Sequence, residues 1–230
     1  MAHGSAVDEA VAESRATTDA DRTPVPYGQR ERLTVIDRFG VWLSARRVHR
    51  EVRSFDGVRL GDFGCGFDAR IARSLLPRVA SATLVDVALA DDLKADPRVT
   101  TIEGLLPAAL AGIDDASMDV ALCLSVLEHL DEPLDTLREL RRLLAPGGMC
   151  LVNVPNWRGK RYLELSAFRL GLGSDLVDEH KTYYDPKDLW PLLVHAGYLP
   201  SEIRCFRHKF GLNTFAVCGP SRIRARSRAA

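Results

Sequence analysis

Nowhere does this chain hold an apolar run close to the ~20 residues that a membrane-crossing helix needs, and no apolar segment before a cleavage site marks its beginning. Neither a membrane span nor secretion is expected, which leaves the cytoplasm as the default location. A CxxC pair is also missing. The five cysteines (Cys65, Cys123, Cys150, Cys205 and Cys218) are odd in number and mostly sit in apolar runs. That argues against a disulfide framework and for reduced thiols packed as small hydrophobes. Excess charge of either sign is absent too, since Lys+Arg and Asp+Glu are 31 each. Net charge therefore points neither to a polyanion nor to an acidic membrane surface. No internal repeat is visible.

What is present falls into three parts. From Met1 to about Pro24 there is almost no large apolar side chain, so residues 1–24 are expected to form a flexible N-terminal tail. After Gly219-Pro220, Arg222, Arg224, Arg226 and Arg228 alternate with other residues, and 219–230 is expected to be a flexible basic tail. Residues 25–218 are long enough for a single domain of ordinary size.

Within that domain, short apolar runs alternate with helical stretches, the pattern of strands joined by crossover helices. The expected fold class is α/β, a doubly wound and mostly parallel sheet with helices on both faces. One or two helices over Gln29–Val52 precede it, with an apolar stripe of Leu33, Ile36, Val41, Leu43, Val48 and Val52. Strands are expected at Val58–Phe63, Ala82–Val87, Val99–Glu103, Asp119–Leu124 and Met149–Val154. The fourth is apolar on successive residues, as a strand buried on both faces should be. Asp131-Glu132-Pro133 should open a helix that Pro146-Gly147-Gly148 ends. Asp185-Pro186-Lys187-Asp188 has the cap, proline and third-position acid of another helix start. Ile203–His208 and Asn213–Cys218 then read as an antiparallel pair closing the sheet edge.

Chemistry enters at Asp62-Phe63-Gly64-Cys65-Gly66-Phe67-Asp68, where a strand runs into closely spaced glycines and then a helix. A turn without Cβ atoms lets a ligand approach the backbone, and ligands of open α/β sheets sit beyond the carboxyl ends of strands. Twenty residues after Gly66, Asp86 ends the second strand, where a carboxylate can accept hydrogen bonds from ribose hydroxyls. Glycine turn plus acid indicates a nucleoside-type cofactor. Gly64-Cys65-Gly66-Phe67-Asp68-Ala69 also satisfies the nicotinamide and flavin fingerprint, so these residues alone leave an NAD-dependent oxidoreductase open.

Further blocks bear on that choice: Asp119 to Leu130 at the fourth strand, Leu144-Ala145-Pro146-Gly147-Gly148 before the fifth, and His195-Ala196-Gly197-Tyr198 ahead of the closing pair. Together with Asp62-Phe63-Gly64-Cys65-Gly66 and Asp86, their order and spacing from about residue 58 to 218 resemble the class I S-adenosylmethionine (SAM)-dependent methyltransferases. Within these the match is to the broad small-molecule group with a D-x-G-C-G motif. The resemblance implies transfer of a methyl group from SAM to the oxygen or nitrogen of a small-molecule acceptor, leaving S-adenosylhomocysteine (SAH). It places Asp62, Phe63, Gly64, Cys65 and Gly66 around the methionine part of SAM, with Asp86 and Val87 at the ribose. Glu103 and Gly104 then border the adenine, and Ser125 and Val126 lie under the sulfonium. Asp68 stands where the family often has a third glycine, and is expected to cap the following helix, the alternative being that it pairs with the SAM ammonium.

On the acceptor side, the resemblance turns Glu128 and His129 toward the reaction space, and His129 is the first choice for a proton acceptor. His180 is a second, in the run Asp178 to Tyr184 within residues 156–184, the expected substrate lid. Trp157, Tyr183 and Tyr184 are candidates to orient the acceptor, with Arg158, Lys160 and Arg161 available to an anionic one. Glu128-His129 and Glu179-His180 lack the spacing of a metal site, so no metal is expected. Nor is nucleic acid an expected partner: basic residues are not interleaved with aromatics on the core, and no N/D-P-P-Y/F motif follows the fourth strand. Oligomeric state is not legible. The alternatives are the NAD-dependent oxidoreductase and a non-catalytic SAM-binding protein.

Overall fold

The structure is a computed structural model that describes residues 35–162 and 181–219. The expected N-terminal tail and all but the first residue of the C-terminal one lie outside the described residues, as do most of the expected lid and His180.

Helix α1 (Val35–Glu51) leads into a seven-stranded sheet. Its elements are β1 (Arg59–Phe63), α2 (Arg70–Leu75), β2 (Ser81–Asp86), α3 (Asp91–Lys94) and β3 (Val99–Glu103). Then follow β4 (Met118–Leu124), α4 (Pro133–Leu143), β5 (Leu144–Pro155), α5 (Pro186–His195), β6 (Ile203–His208) and β7 (Asn213–Cys218). The spatial order is β3-β2-β1-β4-β5-β7-β6. β1 to β5 are parallel, while β7 runs antiparallel to both neighbours. The α/β class and the antiparallel closing pair stand as expected, with one refinement. The last strand in sequence is not the outermost, because β7 inserts between β5 and β6.

Two apolar layers cover the sheet, as doubly wound connections require. On one face Phe63, Ala121, Cys123 and Val152 pack with Leu137, Leu140 and Leu143 of α4 and Leu189 and Leu193 of α5. On the other, Leu60, Leu84, Leu122 and Leu151 pack with Val48 of α1 and Ala72 and Leu75 of α2. Alternate residues of β4 thus serve opposite cores, which is why Val120 to Leu124 are apolar in succession.

Several local expectations are corrected. α4 ends at Leu143, because Leu144 has already turned extended and pairs with Met118, so β5 begins five residues earlier than expected. Asp68 does not cap α2: the cap position is Ala69 in the left-handed conformation, and the Asp68 carboxylate instead accepts from Arg70 Nη2 at 3.0 Å. At α5 the sequence signal is realised, the Asp188 carboxylate accepting from the Asp185 backbone N–H at 3.0 Å. Among the described residues no helix is long and apolar enough to cross a membrane.

Candidate cofactor and acceptor site

Reversal of strand order between β1 and β4 opens a crevice at the carboxyl end of the sheet, the usual ligand position in such folds. Asp62, Phe63, Gly64, Cys65, Gly66, Asp86, Val87, Ser125 and Val126 are all brought to this edge, as the register of β2 against β1 and of β1 against β4 dictates.

Chain geometry here needs glycine. Gly64 and Gly66 both have φ of 75°, in the left-handed region. A Cβ on Gly64 would lie 2.3 Å from a Val126 methyl carbon, so the turn after β1 packs directly on the residue after β4. Gly64 N–H donates to Val85 O at 2.7 Å, and Gly66 N–H donates to Asp86 Oδ2 at 2.7 Å. Asp86 Oδ1 accepts from Val87 N–H at 2.8 Å. The half-buried Asp86 is therefore fixed by backbone donors, keeps lone pairs for further donors, and ties β2 to the glycine turn.

Asp62 lies beneath. Burial and then the neighbouring Asp86 carboxylate push it up to about 7, with a backbone hydrogen bond from Ala72 pulling the other way. Asp86 is itself raised, first by burial. Among the described residues no Lys or Arg forms an ion pair with either acid. Two carboxylates close enough to repel, held at the edge of a crevice without a counter-cation among the described residues, form a site that gains from a cationic ligand.

Glu103 reaches the same edge as the register partner of Asp86, but its carboxylate is already committed. Oε1 accepts from Leu89 N–H at 2.8 Å and meets Lys94 Nζ at 2.9 Å, which holds it below the ordinary glutamate range. Gly104, whose N–H donates to Asp86 O, offers only backbone. Sequence reasoning had no view of the Lys94 partnership, since nine residues and a turn separate the two.

Beyond β4, Ser125 is exposed with φ of 61°. It is held by its N–H to Asn153 O at 2.7 Å and by Asn153 Nδ2 donating to its hydroxyl at 3.3 Å. A non-glycine residue kept in that conformation by a buried asparagine marks backbone positioned with care. The adjacent pair separates: Glu128 is buried at 1% exposure, while His129 is exposed at the mouth. Burial pushes the Glu128 carboxyl up to about 8, its Oε2 has no hydrogen-bond partner among the described residues, and the Lys209 ammonium opposes that rise from the β6–β7 connection. Glu128 therefore turns inward, and only His129 of the two faces solvent. Backbone O of Glu128 accepts from Lys181 N–H at 2.8 Å, docking the irregular segment that carries Tyr183 and Tyr184. Trp157 and Tyr183 do meet, with ring centroids 5.6 Å apart, and Tyr184 N–H donates to Pro155 O at 3.0 Å. Tyr183 and Tyr184 are buried whereas Trp157 is half exposed. The trio gathers at the carboxyl end of β5. Asn156 was missed: its N–H donates to Leu212 O and its Nδ2 to Gly211 O, fastening the β6–β7 connection to the site. An asparagine just past a strand carries too little signal to reveal that bond.

Fold and crevice together define a nucleoside-cofactor protein of the doubly wound class. The family described as "Methyltransferase domain" matches residues 61–152. A ubiquinone biosynthesis O-methyltransferase from Marinobacter nauticus is 30% identical over 164 residues, 65% of this chain and 67% of that protein. One of the same name from Xylella fastidiosa is 25% identical over 204 residues, covering 80% and 76%. Among solved structures, a SAM-dependent methyltransferase from Archaeoglobus fulgidus superposes with TM-score 0.57 at 14% identity, covering 78% of this chain and 94% of that one. The chain belongs to the class I SAM-dependent methyltransferases; SAM is its cofactor and methyl transfer its reaction. The [4+2]-cyclase SpnF shares the fold as well, with TM-score 0.58 and 19% identity over 88% of this chain and 73% of its own. Architecture alone therefore does not dictate the acceptor chemistry.

Proposed function

We propose that this enzyme methylates an oxygen nucleophile of a small hydroxylated acceptor, with SAM held along β1, β2 and the glycine turn. The observation that carries the cofactor half is the Asp62–Asp86 pair, both raised by burial, Asp62 also by the neighbouring Asp86 carboxylate, and lacking a counter-cation among the described residues. SAM brings an ammonium and a sulfonium, and relieves that repulsion on binding. Asp86 takes the ribose hydroxyls on its remaining lone pairs, and Asp62 faces the ammonium. Gly104, rather than the occupied Glu103 carboxylate, borders the adenine with its backbone.

Transfer is a displacement: the acceptor oxygen forms a bond to the methyl carbon as the C–S bond breaks, and the sulfur leaves as neutral SAH. The acceptor proton must go to a base. His129, exposed beside the end of β4, takes that role in this reading, whereas Glu128 stays protonated at neutral pH and is unsuited to it. Most of the rate enhancement comes from in-line positioning and exclusion of water rather than from acid–base chemistry. The O-methyltransferase names of the two relatives support oxygen over nitrogen.

Calorimetric titration with SAM, SAH and NADH in parallel tests the reading. Affinities of about 1–100 μM for the first two with none for NADH are expected; NADH binding alone would make this an oxidoreductase. SAM binding without turnover on any hydroxylated acceptor would make it a non-catalytic SAM-binding protein.

A further inference from the structure

A second concavity lies at the same end of the sheet. Between α1 and the β6–β7 connection is a cleft of about 360 Å³, lined by Arg46, Arg47, Arg50, Arg207, Lys209 and Phe210 among others, and by no acid among the described residues. The chain as a whole is charge-balanced, so five cations around one concavity represent local segregation rather than composition. Glu51 partners Arg47 at 3.3 Å and Arg204 at 2.7 Å, but Arg46, Arg50, Arg207 and Lys209 form no ion pair among the described residues. The potential is felt by His208, which burial, then Arg47 and Lys209, press down to about 4. Glu128, the acid whose charge would offset Lys209, is kept largely neutral by its own burial. Like charges gathered this way repel one another unless an anion enters.

Backbone geometry fixes the cleft to the acceptor side. Lys209, Phe210 and Gly211 are consecutive positive-φ residues, at 46°, 58° and 83°. Two of the three carry side chains, at a cost of about 1 kcal/mol or more each. Asn156, just past β5, holds this strained turn through Leu212 O and Gly211 O, and a Cβ on Gly211 would sit 3.5 Å from Arg158 Nη1. Beside the cations runs an exposed aromatic ladder. Phe210, 80% exposed, stacks on Phe39 with centroids 6.3 Å apart, Phe39 stacks on Trp42 at 5.7 Å, and the Arg46 guanidinium lies 5.7 Å from the Trp42 centroid.

We propose that this cleft is an anion-binding subsite of the acceptor site. It takes the carboxylate or phosphate of an acceptor whose apolar or aromatic body lies along Phe39, Trp42 and Phe210. Guanidinium groups bind both anions through paired N–H donors, and the rings add stacking and cation–π contacts. This deepens the methyltransferase reading and rests on it for the word acceptor.

The experiment is calorimetry of the whole chain, saturated with SAH at low ionic strength, against inorganic pyrophosphate and separately against benzoate. Binding at about 1 mM or tighter is expected, weakened about tenfold or more by Arg46→Gln with Arg50→Gln. SAH affinity, measured in the same samples, should not change. Arg207→Gln, on an exposed side chain, should shift binding in the same direction and serves if the helix variant fails to fold. Anion binding equal in all three proteins, or absent below about 10 mM while SAH binds normally, overturns the subsite and leaves the methyltransferase reading intact. Binding to phosphatidylglycerol vesicles but to neither soluble anion also overturns it, making the face a lipid surface. Loss of SAH binding with anion binding retained would instead overturn the cofactor reading.

Discussion

The two halves of the carboxyl edge are built differently. On the cofactor side, Asp62 to Gly66 and Asp86 to Val87 come from two adjacent parallel strands, and their mutual bonds run through backbone N–H groups. On the proposed acceptor side the groups come from α1, the end of β4, residues just past β5, the segment before α5 and the β6–β7 connection. A site made from one strand-turn-helix unit and its neighbour depends on few residues, each strictly required. A site assembled from five segments spreads its energy and tolerates change at each point.

Variants can break or sharpen that contrast, and the largest effect is expected where sterics are tightest. Gly64→Ala puts a methyl into the Val126 side chain at a backbone φ of 75°. It should cost about 3 kcal/mol of stability by urea denaturation and abolish SAM binding. Asp86→Ala should weaken SAM binding by about tenfold or more, about 1.4 kcal/mol, while the chain remains folded by circular dichroism. Unchanged affinity would remove Asp86 from the site.

Titration separates the halves next. Asp62 sits near 7 in the folded chain, so its carboxylate is lost as pH falls through that value. SAM affinity should drop up to about tenfold per unit below pH 7, and Asp62→Asn should flatten the profile. Glu128, on the acceptor side, should show its titration in stability instead. Its folded value of about 8 lies above its ordinary 4.5, so the stability it contributes is complete below about 4.5 and is lost as pH rises toward 8. Glu128→Gln should therefore gain on the wild type by up to about 1.4 kcal/mol per unit between about pH 5 and 8 in thermal or urea melts. The smallest perturbation is His129→Ala. SAM affinity should be unaltered and turnover about tenfold slower, and unaffected turnover would reduce His129 to a surface residue.

The same contrast explains what could be read in advance. Strand positions and the glycine turn were legible because their signals are local: a continuous apolar run means a doubly buried strand, and closely spaced glycines after a strand mean a turn that a ligand approaches. Glu103 shows the limit. Its position at the end of β3 was readable, but its commitment to Lys94 and Leu89 depends on where α3 lies. Glu128 and His129 are adjacent in sequence, yet the short helical turn after β4 sends one inward and leaves the other at the surface.

By itself, then, the sequence determined the α/β class, the order of strands along the chain and the position of the glycine turn, because each rests on periodicity or on contacts within a few residues. Only the tertiary structure decided that β7 lies inside β6, that Asp62 and Asp86 lie together with no ion-paired cation among the described residues, and that arginines of α1 converge with Lys209 across a cleft. Burial and charge–charge distance are properties of segments brought together in space, and no local pattern encodes them.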